Sequence, residues 1–342
     1  RRRPWEAPGG PAPGLLQRHV SPELCRLRRA LIAELESREA LEAYQNFEPM
    51  WPSRTGSAPL PRAAPSATLS AERRDVYMSS VTKRISEIKQ PRGGYIKPSK
   101  FDIFKIEDAH VLNEVENIHA SIVGMAVDYL TRYAMGTEPS EVFEVSCMGA
   151  KIAEEVFKQK NAVKNADALL LGIKKLDEKA IINACKLATY DVWLRNPMAA
   201  MMAKAEEINP DRATIENIRI LVDRSIKFWG SYGPIVKSGF TFEPNGYTEM
   251  VDSGDGDYLT ADTIWDFKVS KSKPTNKHTL QLLMYWIMEQ HSGQKVFKNI
   301  QKLGIFNPRL NEVYLFNVNQ ITTEIISEIE RRCHLLLIVS YK

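Results

Sequence analysis

No stretch of this 342-residue sequence approaches the roughly 18 consecutive apolar residues that cross a bilayer, and Arg1 opens no apolar secretory core. A soluble, cytoplasmic chain without a membrane partner is therefore expected. Cysteine is sparse: Cys25, Cys147, Cys185 and Cys333 are scattered with no Cys-x-x-Cys pair. That excludes a zinc ribbon, a redox motif and a disulfide framework, and leaves free thiols. No phosphate-binding glycine loop and no helicase motif is visible, so any unwinding would need a helicase or other protein partner. One-sided charge is also missing, since the net charge of +4 permits an acidic partner without demanding one. What is there, 44% apolar and 26% charged residues, is the balance of a globular chain and not of collagen, a coiled coil or wholesale disorder.

Lysine is absent from the first 77 residues, which hold twelve arginines and ten of the nineteen prolines, whereas residues 78–342 hold 24 lysines and ten arginines. Segments 1–77, 78–230 and 231–342 are accordingly read as separate regions. The first is an Arg/Pro-rich extension, largely disordered, with one helix capped by Ser21 and carrying Leu24, Leu27, Leu31, Ile32 and Leu35 on one face. The abrupt break suggests Met78 as a natural start and 1–77 as an unrelated extension.

The second region is helical. Val111, Val115, Ile118, Ile122, Ala126 and Tyr129 recur at alternating fours and threes and predict a helix over 107–135. Further helices are expected at 139–160, 163–172, 176–206 with a break at Asn196-Pro197, and 211–230 after Asn209-Pro210-Asp211. After Gly233-Pro234 the pattern changes to short alternating runs at 239–243, 247–252, 255–260 and 263–270, the mark of an antiparallel meander. A helix over 276–290, strands at 303–307 and 312–317 and an amphipathic helix from Gln320 complete an α/β order, with Leu335 to Val339 closing a buried helix or strand.

Within the meander, a two-residue turn at Ala261-Asp262 would pair Tyr258 with Trp265 and Asp257 with Asp266. Opposed residues of an antiparallel pair share a face with Cβ atoms about 5 Å apart, so the two carboxylates could hold one divalent cation and would repel without it. Lys268 falls on the same face, while Trp265, Phe267 and Val269 fall on the other. Two acids and a lysine suit Mg²⁺ or Mn²⁺ and phosphodiester hydrolysis, with Lys268 orienting or deprotonating the nucleophile. The triplet acid-x-Lys alone carries nothing, because Glu87-Ile88-Lys89 and Asp177-Glu178-Lys179 also satisfy it; only Asp266-Phe267-Lys268 joins a strand to an opposed acid. Downstream, Gln281 and Tyr285 stand four apart on one face of an otherwise apolar helix and need polar partners.

The run Gly254-x-x-Asp257, Asp266-x-Lys268 and Gln281-x-x-x-Tyr285 resembles the PD-(D/E)XK nuclease superfamily, in its RecB-like branch, over roughly residues 231–320. The resemblance implies a restriction-endonuclease-like α/β core (helix, antiparallel meander, helix, strand) behind a helical N-terminal elaboration. It implies Asp257, Asp266 and the carbonyl of Phe267 as ligands of Mg²⁺ or Mn²⁺, Lys268 as the catalytic lysine, and Gln281 and Tyr285 beside the site. For the upstream ligand such nucleases carry, His119 is the first candidate and Glu216 the competitor. The expected partner is nucleic acid, DNA first. An idle module of the same fold, binding nucleic acid or serving assembly without cutting, is the alternative. Lys268, Lys271, Lys273 and Lys277 could receive a phosphate backbone. Met198, Met201 and Met202 are read as packing residues, and the acids at 252–257 do not have the spacing of a calcium loop.

Overall fold

A computed structural model describes residues 79–195, 200, 207–248 and 251–333. The expected Ser21 helix, the Met78 boundary, the Asn196-Pro197 break, the three methionines and the Leu335–Val339 end lie outside these residues. The elements run β1 (Ser79–Ser80), α1 (Val81–Glu87), β2 (Asp102–Lys105), α2 (Ala120–Ala134), α3 (Pro139–Val142), α4 (Glu144–Glu155), α5 (Ala162–Leu171), α6 (Glu178–Ala188) and α7 (Asp191–Arg195). They continue with α8 (Arg212–Tyr232), β3 (Lys237–Phe240), β4 (Val251–Ser253), β5 (Gly256–Leu259), β6 (Thr263–Phe267), α9 (Asn276–Ser292), β7 (Lys302–Asn307), β8 (Glu312–Asn317) and α10 (Thr323–Cys333).

The chain is mixed α/β, built on a six-stranded sheet of order β2-β8-β7-β6-β5-β3. Within this sheet, among the described residues, only β6 and β7 pair in parallel, and α9 makes the crossover that a parallel pair requires. Side-chain alternation gives the sheet two buried faces. Tyr258, Trp265 and Phe306 meet Phe228 and Trp229 of α8, with the Phe228 and Phe306 rings stacked at 3.9 Å. Leu259, Ile264, Leu303 and Ile305 pack on the other side against Leu280, Leu283 and Met284 of α9. With apolar sheet on one side and α1 on another, α9 is buried nearly all round, which explains why its sequence is apolar without a single stripe. α8 also closes a helical core around Leu130, Ile181 and Leu221. Helix starts follow local signals: Asp211 and Asp177 accept the N–H groups of Thr214 and Ala180 at 2.8 and 2.9 Å. Gly304 has a different reason for being glycine, since a Cβ there would stand 2.3 Å from the Trp265 ring.

Three sequence expectations are corrected. The helix predicted over 107–135 begins only at Ala120; residues 106–119 form an extended strap with Val111 and Val115 86% and 74% exposed. The strap is held by partners remote in sequence. Asp108 takes bonds from Arg224 and Lys227, Asn117 binds Thr214, Asn113 binds Asn217, and the Glu116–Arg309 pair is bidentate at 2.8 and 3.0 Å. Burial alone would raise the Asp108 pKa, but His110, Arg224 and Lys227 hold it well below the carboxylate range. Second, β4 leaves the meander and pairs in parallel with β1, so the antiparallel run is β3, β5 and β6. Third, the helix expected over 176–206 breaks at Thr189-Tyr190, where the Tyr190 carbonyl lies against Gly149 and Asp191 turns inward to Tyr129 and Ser146.

Candidate functional site

The β5–β6 hairpin has the register its sequence predicts, with Leu259 opposite Ile264 and Tyr258 opposite Trp265. One step further along the ladder, Asp257 and Asp266 point to the face covered by α9, as does Lys268 just past the end of β6. Gly256 and Gly254 let the chain approach closely here. A Cβ on Gly256 would meet the Phe240 ring at 2.1 Å, and one on Gly254 would meet Val81 at 2.6 Å.

Asp266 is 1% exposed, and Lys268 Nζ lies 2.7 Å from its Oδ1. That short ion pair lacks hydrogen-bond directionality, and among the described residues neither oxygen of Asp266 has a hydrogen-bond partner. Asp257 is better held, its Oδ2 accepting the main-chain N–H of Phe267 at 2.7 Å. Burial first, and the charge of Asp266 second, raise the Asp257 carboxyl to about 7 against the opposing pull of Lys268 and the Phe267 N–H. Burial would lower the Lys268 pKa, but Asp266 and Asp257 more than offset it and keep the ammonium charged. On α9, Gln281 Nε2 donates to Tyr285 Oη at 2.9 Å, and the Tyr285 hydroxyl, raised chiefly by burial, also feels Asp257 and Asp266. Asp257, Asp266, Phe267, Lys268, Gln281 and Tyr285 are thus brought together.

His119 and Glu216 are not. His119 is the N-cap of α2, with Nδ1 2.7 Å from Ser121 Oγ, and Glu216 is paired with Arg219 at 2.6 Å on the surface of α8. Among the described residues no group of three or more His, Cys, Asp or Glu side chains stands at metal-holding distances. The helix that contains Ser121 instead sends Asp128 toward the site. Asp128 accepts the Tyr258 hydroxyl and Arg132 Nη2, the latter at 2.8 Å, and its charge adds to the rise at Asp257. In sequence, Asp128 and Arg132 have the four-residue spacing of an ordinary surface ion pair, which concealed the role.

Two further residues were missed. His278 occupies the third position of α9, where its Nδ1 accepts the Thr275 N–H at 3.1 Å in a capping box. The ring proton of the neutral imidazole therefore sits on Nε2, and the group feels both Asp266 and Lys268. Arg195 ends α7 with Nη2 4.0 Å from buried Asp191 and interacts with Asp255 and Asp257. The Thr-x-x-His pattern signals a cap; nothing local signals Arg195.

The donor set fits a hard divalent cation: two carboxylates on one face, one of them buried with no hydrogen bond to either oxygen, and the Phe267 carbonyl at the strand end. No family model, curated protein or solved structure matches this chain.

Proposed function

We propose that this protein is a Mg²⁺- or Mn²⁺-dependent nuclease, acting first on DNA, with a restriction-endonuclease-like core of the RecB-like PD-(D/E)XK kind. The observation that carries the reading is the Asp257–Asp266 pair, Asp266 buried and Asp257 half-buried, with Lys268 Nζ 2.7 Å from Asp266. Two carboxylates on one face, one buried and one half-buried, repel each other, and a cation between them removes that repulsion. Asp257, Asp266 and the Phe267 carbonyl would hold the ion, which when bound supplies charge for a phosphate oxygen and a more acidic water.

The protein's own groups account for the rest. Lys268, kept protonated by the two acids, orients an attacking water or stabilises the charge developing on the phosphate, and it is not a general base while both acids are bare. Burial, with the charges of Asp257 and Asp266, keeps the Tyr285 hydroxyl neutral, and the hydrogen bond from Gln281 fixes its position. Asp128, itself paired with Arg132, accepts the hydroxyl of Tyr258, the residue next to Asp257.

The idle-module reading is favoured by one observation: among the described residues no third His, Cys, Asp or Glu side chain converges on the two acids. The deciding experiment is cleavage of linear and circular, single- and double-stranded DNA with Mn²⁺, Mg²⁺ or EDTA, beside Lys268→Ala and Asp257→Asn. Metal-dependent cutting lost in both variants supports the nuclease. No cutting, together with no Mn²⁺ binding by calorimetry, selects the idle module.

A further inference from the structure

Two acid-free basic segments converge on the start of α9. Residues 88–101 carry Lys89, Arg92, Lys97 and Lys100 without an Asp or Glu, and residues 267–288 carry Lys268, Lys271, Lys273 and Lys277, again without one. Residues 102–266 separate them in sequence, so the sequence alone gives no reason to join them.

The fold joins them by contact. Thr279 Oγ1 in the first turn of α9 donates to the carbonyl of Ile96 at 2.7 Å. Gly94 sits so close to Asn276 that a Cβ would stand 2.7 Å from the asparagine Cβ, and a Cβ on Gly93 would stand 3.3 Å from Cγ of Lys97. Both glycines have positive φ, +88° and +94°, a conformation that side chains rarely adopt. The 88–101 connection is therefore seated on the helix start through Gly94 and Ile96, the latter next in sequence to Lys97, while Asn276 and Thr279, its partners on α9, flank Lys277. Arg92, Lys97, Lys100, Lys273 and Lys277 are exposed, and none pairs with a described acid. Lys271 marks the border of this surface, because its Nζ donates at 2.9 Å to the carbonyl of Glu114 on the strap. At the other border the 268–275 loop begins at Lys268, and His278 feels Asp266 and Lys268.

We propose that the connection between α1 and β2 and the loop between β6 and α9 together form a phosphate-backbone platform, which delivers a nucleic-acid strand to the Asp257–Asp266 pair. The platform rests on the nuclease reading for its direction, toward Lys268, but not for its charge. Unpaired, exposed cations with no acid among them are what a sequence-independent contact to phosphates needs. Arg92 and Lys97, which lie outside the segment that holds the acids and the lysine, become substrate contacts.

The test measures binding apart from cutting. Full-length protein carrying Asp257→Asn is titrated, in EDTA, into fluorescein-labelled 20-nucleotide single-stranded DNA, duplex DNA and single-stranded RNA, across a series of NaCl concentrations. Arg92→Glu/Lys97→Glu and Lys273→Glu/Lys277→Glu are each expected to weaken binding at least about tenfold near 0.1 M salt. Each should also flatten the slope of log K against log salt by roughly two, one for each phosphate that the variant no longer neutralises. The control Lys164→Glu/Lys174→Glu, with exposed lysines on and after α5, should change affinity less than about threefold, the ordinary effect of net charge alone. Thermal melts confirm that each variant folds.

If Arg92→Glu/Lys97→Glu binds like the control, or if no probe binds the parent, the platform is overturned. Metal-dependent cutting by the unaltered protein would then still leave the nuclease standing. Loss of binding in both reversals, in a protein that never cuts, upholds the platform and transfers it to the idle module.

Discussion

Asp257 accepts the main-chain N–H of Phe267, not a side chain, at 2.7 Å. The carboxylate is thereby fixed by the backbone of the neighbouring strand, one residue beyond its cross-strand partner Asp266. Its position depends on the hairpin register and survives any change of the Phe267 side chain that keeps the strand. The same bond brings the Asp257 carboxylate to the residue whose carbonyl opens the next peptide, so two carboxylates and the Phe267 carbonyl are gathered by one short strand and a single residue of its neighbour.

Asp266→Asn should stabilise the metal-free protein. Two carboxylates share the single ammonium of Lys268, so the substitution removes the excess negative charge and still leaves Lys268 the charge of Asp257, a gain on the order of 1 kcal/mol at pH 8. Mn²⁺ should raise the melting temperature of the unaltered protein and leave that of the variant unchanged. A variant that melts lower than its parent in EDTA would count against repulsion in the pair.

Lys268→Ala should lower the rate of cleavage by about a hundredfold or more, the usual effect of deleting one aimed charge from an active site. In the metal-free protein it should also lower stability, because Asp266 then loses its only counter-charge within 4 Å among the described residues. Steady-state cleavage and a denaturant titration check the two halves separately; retained cleavage refutes the assigned role.

A pH effect is expected from Glu289, a buried carboxyl on α9 that burial raises from 4.5 to about 8 against the pull of Gln290. The folded chain holds a proton that the unfolded chain releases. Stability from this group is therefore complete below pH 4.5, declines as pH rises, and is fully lost above pH 8. Glu289→Gln keeps an acceptor for Gln290 and removes the ionisation, so its advantage should be near zero at pH 4.5 and on the order of 2 kcal/mol at pH 9. Urea unfolding at both pH values measures the difference; equal differences would contradict the assignment.

The strap offers a fourth test. Glu116 and Arg309 are each 6% exposed, and removing either leaves the other charge buried alone, so Glu116→Gln or Arg309→Met should cost roughly 3–5 kcal/mol. Hydrogen exchange should quicken first in residues 106–119. The double substitution should cost less than the sum of the singles, because the stranded charge is gone.

Much of the sheet and most helices could be read from local sequence. The Ala261-Asp262 turn fixed the hairpin, and alternation placed Asp257, Asp266 and Lys268 on one face with no long-range information. The strap could not be read this way. Val111, Val115 and Ile118 have helical spacing, but Asn113, Glu116 and Asn117 find better partners in Asn217, Arg309 and Thr214, about a hundred residues or more downstream. Asp128 was hidden for the same reason, since Tyr258, the group that turns it toward the site, is remote in sequence. His119 stands at the edge of an apolar stripe in the sequence, yet the helix starts one residue later and the imidazole serves as its cap.

β2 is an edge strand, and its neighbour is β8, the last strand of the sheet to be synthesised. On the ribosome Asp102–Lys105 emerges long before Glu312–Asn317, and until then Ile103 and Phe104 have no sheet to join. The residues of β6, α9 and β7 all precede those of β8 in the chain. Carboxylate pair and lysine can thus assemble on the nascent chain while the far border of the sheet is still open, and the final strand to arrive seals the sheet at the edge remote from β5.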